Sequence, residues 1–362
     1  MQPTFFGLIG PNVKTACSLF SLITSNGILQ GVFLNDTTSV SHLIQTRRVR
    51  HPWFPHHGVA NTAILSVRDK DYAMFERDLP YEIDISYPTV RTIGRVSCPF
   101  PSLCAHSTFE DPVIHSMTYS ILYRTVSFLT LGIDFAPLRV ETVRTTHLPL
   151  VHSYLRHSGT YVFSESPLCF RWGWFPVYLN PLGQTIFHVV PEKYTADGGF
   201  YIFHYGPFSE NATAYTLYAP AYDSLAFEGM NISGKYRRFI LDKATKTVIV
   251  EKNPMLEMLN LDFPLLWRGH VLLRNLNVDH IDGFVLCDGL EIVRTYWLNV
   301  SVLGEPYIHE DTLYALTNTS FLEMNLVSGE VRAVPVSIPG TLGFHAFMKF
   351  KYNMSNSNAG SS

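Results

Sequence analysis

Fifteen histidines occur in a chain of 362 residues whose formal charge is only −3. A neutral imidazole offers a lone pair to a transition metal, and its softness suits Zn, Cu, Fe and Ni alike. Local spacing singles out none of these side chains. The sequence has no HExxH and no HxH, and His56–His57, between Pro55 and Gly58, reads as an exposed loop. Five cysteines (Cys17, Cys98, Cys104, Cys169, Cys287) fall at irregular intervals without a CxxC pair. They imply no disulfide framework and fit a reducing compartment. No GxGxxG or P-loop marks a nucleotide partner. A metal site, if built, is assembled from distant segments.

The elements available to assemble it are strands. Gly27–Leu34, Thr62–Val67, Thr160–Phe163, Gly199–His204 and Lys246–Glu251 are short runs rich in β-branched and aromatic residues, bounded by turn formers. With 22 Pro and 23 Gly spread throughout, few windows can hold a helix longer than three turns. Ser116–Leu131, the best exception to consider, also favours strands through its Thr, Ser, Val and Tyr content. The sequence therefore predicts an all-β fold, a propeller with diverged blades or a large barrel. Residues 1–352 are expected to form one domain, and the polar tail 353–362 to fray. Charged residues at 16% and aromatics at 14% exclude a disordered chain or a coiled coil. Lys+Arg 27 against Asp+Glu 30 leaves no basic excess for a nucleic-acid face. The N-terminal residues lack a basic segment followed by an apolar run, and no stretch approaches eighteen apolar residues. A soluble, cytoplasmic protein is expected.

The segment Ala73–Gly94, AMFERDLPYEIDISYPTVRTIG, resembles a signature stretch of the carotenoid cleavage oxygenases, as do Ala60-Asn61-Thr62 and Gly10-Pro11-Asn12. The match continues in order along nearly the whole chain. The resemblance implies a seven-bladed β-propeller with Fe(II) on its central axis, held by four histidines on inner strands. Their motifs fall at Ala105-His106-Ser107, at Pro149–Ser153 with His152, at Tyr201-Ile202-Phe203-His204 and at Gly343-Phe344-His345-Ala346. The implied ligands are thus His106, His152, His204 and His345. His188, in Phe187–Val190, competes for third place and is read as structural. His147 and His157 are assigned to turns.

The resemblance also implies three carboxylates behind the ligands, falling on Glu76, Asp262 and Glu305. Such partners fix the tautomer and orientation of a ligating ring. Asp262 stands where the family has glutamate, so it must approach differently or through a bridging water. Other departures are Ser153, Pro207-Phe208 and Ala346, and the chain is expected to be shorter than typical members. The implied activity is O₂-dependent cleavage of a C=C bond in an apolar carotenoid or apocarotenoid. Alternatives with the same iron centre are stilbene cleavage and retinoid isomerisation, and a further one is a catalytically impaired polyene-binding propeller. Phe135, Trp172, Trp174, Phe175, Tyr178, Tyr205, Phe208 and Trp267 are aromatic candidates for a substrate tunnel, each read first as core packing. Cys169–Val177 could line that tunnel, pack the rim or dip into a membrane as a peripheral contact.

Overall fold

Alternation along the strand Gln2–Pro11 sets the architecture. Phe5 and Ile9 pack with Ala73, Tyr81 and Ile83, whereas Phe6 and Leu8 pack with Leu303, Leu316 and Phe321. Successive side chains of a strand leave on opposite faces. Here both faces are covered, each by a different neighbouring sheet, so the strand is buried from Phe5 to Pro11. Such near-continuous apolar runs are what a strand between two sheets requires.

The structure, a computed structural model, describes residues 2–13, 25–46, 48–51, 54–57, 60–75, 78–170, 177–225, 233–276, 282–338 and 341–351. Among the described residues, seven antiparallel units follow one another around a central axis, six of four strands and one, the fifth, whose inner strand is broken into Tyr201–Ile202 and Phe208–Glu210. They run over 345–351 with 2–43, then 63–95, 108–144, 155–196, 201–252, 261–298 and 307–335, and are called blades 1 to 7 in that order. The outer strands of blades 4 and 5 also join in parallel through Thr195 and Ala196 against Thr247 and Val248. Inner strands lie against one another between blades 1 and 2, 2 and 3, 6 and 7, and 7 and 1. Seven apolar clusters of the described residues each straddle two adjacent blades, so the core is a ring of interfaces. An eighth, with Leu168, Leu179, Tyr201, Tyr222 and Leu225, covers one end of the axis.

The ring closes through its last strand. His345–Lys351 pairs antiparallel with Gln2–Pro11, from Ile9 opposite His345 to Gln2 opposite Lys351. Just before it, Gly343 leaves no room for a side chain: a Cβ there would lie 2.3 Å from Leu8, and one on Gly10 would lie 2.3 Å from the Leu342 carbonyl. Close backbone approach of this kind needs glycine.

Several local expectations change. His56–His57 belongs to the strand Phe54–His57, paired with Arg48–His51, not to a loop. Pro55 misled because it sits inside this strand, opposite Arg50 in a two-stranded sheet, where both strands are edges and a missing N–H is tolerated. His157 ends the strand Leu155–His157, while His147 lies in a bend as expected. The strand read over Gly199–His204 shrinks to Tyr201–Ile202. Ser116–Leu131 does split into two strands, Val113–Ser120 and Thr125–Gly132. The tail 353–362, Glu76 and the aromatic stretch 171–176 lie outside the described residues. No helix among those described is long and apolar enough to cross a membrane.

Candidate metal centre

Three of the four inner strands beside the ligands are only two or three residues long, and all four ligands stand at or beyond strand ends. His106 precedes Thr108–Glu110, His152 precedes Leu155–His157, His204 follows Tyr201–Ile202, and His345 opens the closing strand. Their ring centroids are 4.5–6.3 Å apart. One nitrogen from each lies within 4.8 Å of the other three. The segments carrying them are tied together in sequence. The Cys104 thiol donates to the His152 carbonyl at 3.3 Å and accepts the His106 N–H at 3.4 Å. The Ser153 hydroxyl donates to the Phe203 carbonyl, and the Glu305 N–H to the Phe344 carbonyl at 3.0 Å.

Two carboxylates hold rings from behind. His204 Nδ1 donates to Asp262 Oδ1 at 2.8 Å, and His345 Nδ1 to Glu305 Oε2 at 3.0 Å. Asp262 therefore reaches its imidazole directly, with no bridging water. The backbone makes up the missing methylene: pairing shifts register between Asp262 and Leu265, and Phe263 takes φ +54°. A bulky residue in that left-handed region costs about 1–3 kcal/mol, which surrounding structure must over-determine. The Phe263 ring stacks on His204 at 5.0 Å and meets His345 edge-on at 5.6 Å. Burial pushes the Asp262 carboxyl up, but the His204 ring, the Tyr222 hydroxyl and the Phe263 N–H outweigh it and leave it below its usual value. Burial, reinforced by the other three imidazoles, holds His106 well below the ordinary histidine range. Burial also lowers His204, against the opposing pull of Asp262. Both rings are neutral at pH 7, the state in which a lone pair is free for a cation.

The donor set fits a divalent transition metal. His204 Nε2 is buried without a hydrogen-bond partner, which is costly unless something accepts its lone pair. His106 Nε2 and His152 Nε2 face each other at 2.9 Å. With metal–nitrogen bonds of about 2.1 Å, two adjacent ligands at a right angle would stand about 3.0 Å apart. Loss of a carboxylate behind a ligand typically costs 10- to 100-fold in affinity. Glu305→Ala is therefore expected to weaken metal retention by about 10- to 100-fold. Competition with a chelator measures it, and unchanged retention would make Glu305 a turn residue only.

His188 is elsewhere. It sits between sheets in blade 4, donates from Nε2 to Glu165 Oε2 at 2.8 Å, and stacks on Phe163 at 4.2 Å. Glu165, fully buried, also accepts the backbone N–H groups of Thr146 and His147. Burial lowers His188 despite Glu165, and Glu165 lies low because these donors outweigh its own burial. The folded chain thus keeps His188 neutral where the unfolded chain takes a proton near pH 6.5. Stability falls as pH drops below that value, by about 1.4 kcal/mol per unit for one proton, until the folded-state pKa is reached. Below about pH 4.5 Glu165 acts in the same direction, since its low folded-state value makes acid cost stability. In His188→Gln the decline between pH 6.5 and 5 should be shallower. Urea unfolding at stepped pH compares the two chains, and equal slopes would refute the assignment.

The aromatic candidates separate. Phe135 packs edge-on against Tyr72 at 5.0 Å, Phe208 lies against His157 and Tyr215, and Trp267 donates to Asp311 at 3.1 Å. These positions are structural. Tyr178 is exposed. Tyr205, next to His204, takes the Ser164 N–H on its hydroxyl at 2.7 Å and anchors the third ligand segment to blade 4. A surface recess of about 700 Å³ lies by Arg238, Glu251, Lys252 and Asp288, on blades 5 and 6 away from the histidines. Sequence reasoning did not pick out Tyr222, Cys104 or Glu165, none of which carries a motif of its own.

Residues 25–273 match the sequence profile of the retinal pigment epithelial membrane protein family. No curated protein sequence matches the chain. Among solved structures, a variant of Synechocystis apocarotenoid oxygenase is 16% identical, with a TM-score of 0.73 over 96% of this chain and 93% of that one. Lignostilbene dioxygenase of Pseudomonas brassicacearum is 14% identical, with a TM-score of 0.77 over 96% and 92%. A cobalt-substituted form of the Synechocystis enzyme gives 15% and 0.71 over 96% and 93%. At these identities the structural likeness speaks to the fold, and the profile match speaks to descent. With its seven blades and its cluster of four histidines, the chain belongs to the retinal pigment epithelial membrane protein family, the carotenoid cleavage oxygenases, whose members are non-haem iron oxygenases.

Proposed function

We propose that this chain is a dioxygenase that cleaves a C=C bond of a carotenoid or apocarotenoid with O₂, giving two carbonyl products. The observation that carries the reading is the convergence of four imidazoles, with no carboxylate among them, on one centre. His106, His152, His204 and His345 would hold Fe(II) without adding a protein anion, and so would leave its double charge intact. Iron bound there would supply activation of O₂, and the electron-rich alkene supplies the electrons, so no external reductant enters the balance. The protein's own part is to hold and exclude. Asp262 and Glu305 keep the Nδ1 protons in place, so that each Nε2 faces inward. Phe263 and Phe203 lie against the ligand rings and keep water from their faces. An alkene held beside the centre would be positioned rather than chemically altered by these side chains.

The substrate we favour is apolar, and we place the protein in the cytoplasm at a membrane surface where such molecules reside; the exposed Leu182 and Tyr178 support that placement. Stilbene cleavage is the second reading, favoured by the likeness to the lignostilbene enzyme. The test is a panel of β-carotene, apocarotenals and stilbenes offered to protein with measured iron content. Near-stoichiometric iron, with products that sum by mass to substrate plus O₂, is the expected result. Full iron with no turnover anywhere on the panel would leave only a polyene-binding propeller.

A further inference from the structure

The carboxylate behind His204 is held by a group outside the ligand segments. Asp262 is buried, and its two oxygens are used differently. Oδ1 takes the His204 Nδ1–H and the N–H of Phe263, both at 2.8 Å. Oδ2 takes the Tyr222 hydroxyl at 2.5 Å. Tyr222 lies 40 residues upstream, at the end of Ala214–Tyr222, where it pairs with Tyr201 three residues before His204. Its ring is 1% exposed and stands at 90° to Phe203, 5.0 Å away. Gly234 opposite has no Cβ, and one placed there would come 3.0 Å from the hydroxyl and 2.2 Å from the Leu261 carbonyl. The ring therefore has one seat.

We propose that Tyr222 is a positioning residue of the metal centre, whose hydroxyl locks the short Asp262 side chain so that His204 presents Nε2 to the ion. The inference rests on the metal reading given above. A carboxylate turns easily about its last torsion, and an aspartate has few other atoms to fix it. With Oδ2 tied, Oδ1 must face the imidazole, and the left-handed Phe263 both brings the carboxylate near and stacks on the ring it orients. By donating to Asp262, Tyr222 also leaves the shared proton on His204 and so moderates how much charge that ligand lends the ion.

Removing the hydroxyl while keeping the ring isolates this role. Tyr222→Phe should weaken Co(II) binding about 10-fold, the lower end for losing an outer partner. It should also shift the visible ligand-field bands of the cobalt-loaded protein, while the metal-free chain still unfolds cooperatively. Asp262→Glu alone should bind weakly too, because the hydroxyl 2.5 Å from Oδ2 leaves no room for another methylene. Combining the two removes the clash, and Tyr222→Phe with Asp262→Glu should recover affinity and spectrum to within about 3-fold of the starting chain, less than the loss from either outer-partner change alone. A wild-type spectrum and affinity in Tyr222→Phe would overturn the proposal while the metal centre stands. So would purely additive losses in the double variant. An unaltered chain that takes up no Co(II) would overturn the metal centre and this inference together.

Discussion

His204→Ala is expected to emerge from purification with no measurable iron, whereas His188→Ala keeps its iron and loses stability. The two imidazoles lie sixteen residues apart on neighbouring blades, yet their surroundings assign them opposite roles. His204 Nε2 is buried without a partner and faces three other rings, so its removal deletes a ligand. Removing His188 would instead strand Glu165, fully buried and ionised, with only two backbone N–H donors. Breaking a buried pair from one side typically costs about 3–5 kcal/mol. That is a large part of the 5–15 kcal/mol, roughly, by which domains are stable. If His188→Ala does not fold, His188→Gln keeps a donor for Glu165 and carries the comparison. Metal analysis beside thermal unfolding reads both outcomes. Full iron in His204→Ala would remove it from the ligand set, and loss of iron from a folded His188→Gln would place it there.

The ligand set was legible only through the resemblance, because spacing and composition single out none of the fifteen histidines. The order of the matching segments pointed to His106, His152, His204 and His345, and the structure brings those side chains together. The inner strands beside His106, His152 and His204 were not legible in length, because two or three residues leave no periodicity to read. Nor was the directness of the Asp262 contact. It depends on Phe263 adopting φ +54°, and a phenylalanine gives no warning of that, where glycine or asparagine would have. Tyr222 was invisible for another reason: its partner is set by which strand ends meet across blades 5 and 6, and sequence separation says nothing about it. The seven-fold arrangement came only with the resemblance, since one apolar run reads alike whether its neighbours form a barrel or a propeller. Only the split of Phe5 and Ile9 from Phe6 and Leu8 onto different blades settles the matter.

The closing strand gives the other large expected effect, because it both seals the ring and delivers a ligand. Ending the chain after Phe344 should leave no cooperative unfolding transition, whereas His345→Ala in the intact chain should fold and lack metal. Residues 345–351 form the inner strand of blade 1 against Gln2–Pro11. They bury Phe347 beside Phe5 and Met348 beside Phe6 and Phe321. Lys349 reaches across to Asp71 of blade 2 at 2.7 Å. Truncating one buried Phe costs about 3–5 kcal/mol and one buried Met about 2–5. Losing both, with a whole ladder of backbone hydrogen bonds, exceeds what a marginally stable domain holds in reserve. The exposed edge of Gln2–Pro11 would then offer its unpaired amides and carbonyls to other chains. Near-ultraviolet dichroism, thermal unfolding and size-exclusion chromatography follow both variants. A truncated chain that stays monomeric with native dichroism would mean the ring does not depend on this closure. Stoichiometric metal in His345→Ala would mean that its last strand seals the fold without serving the centre.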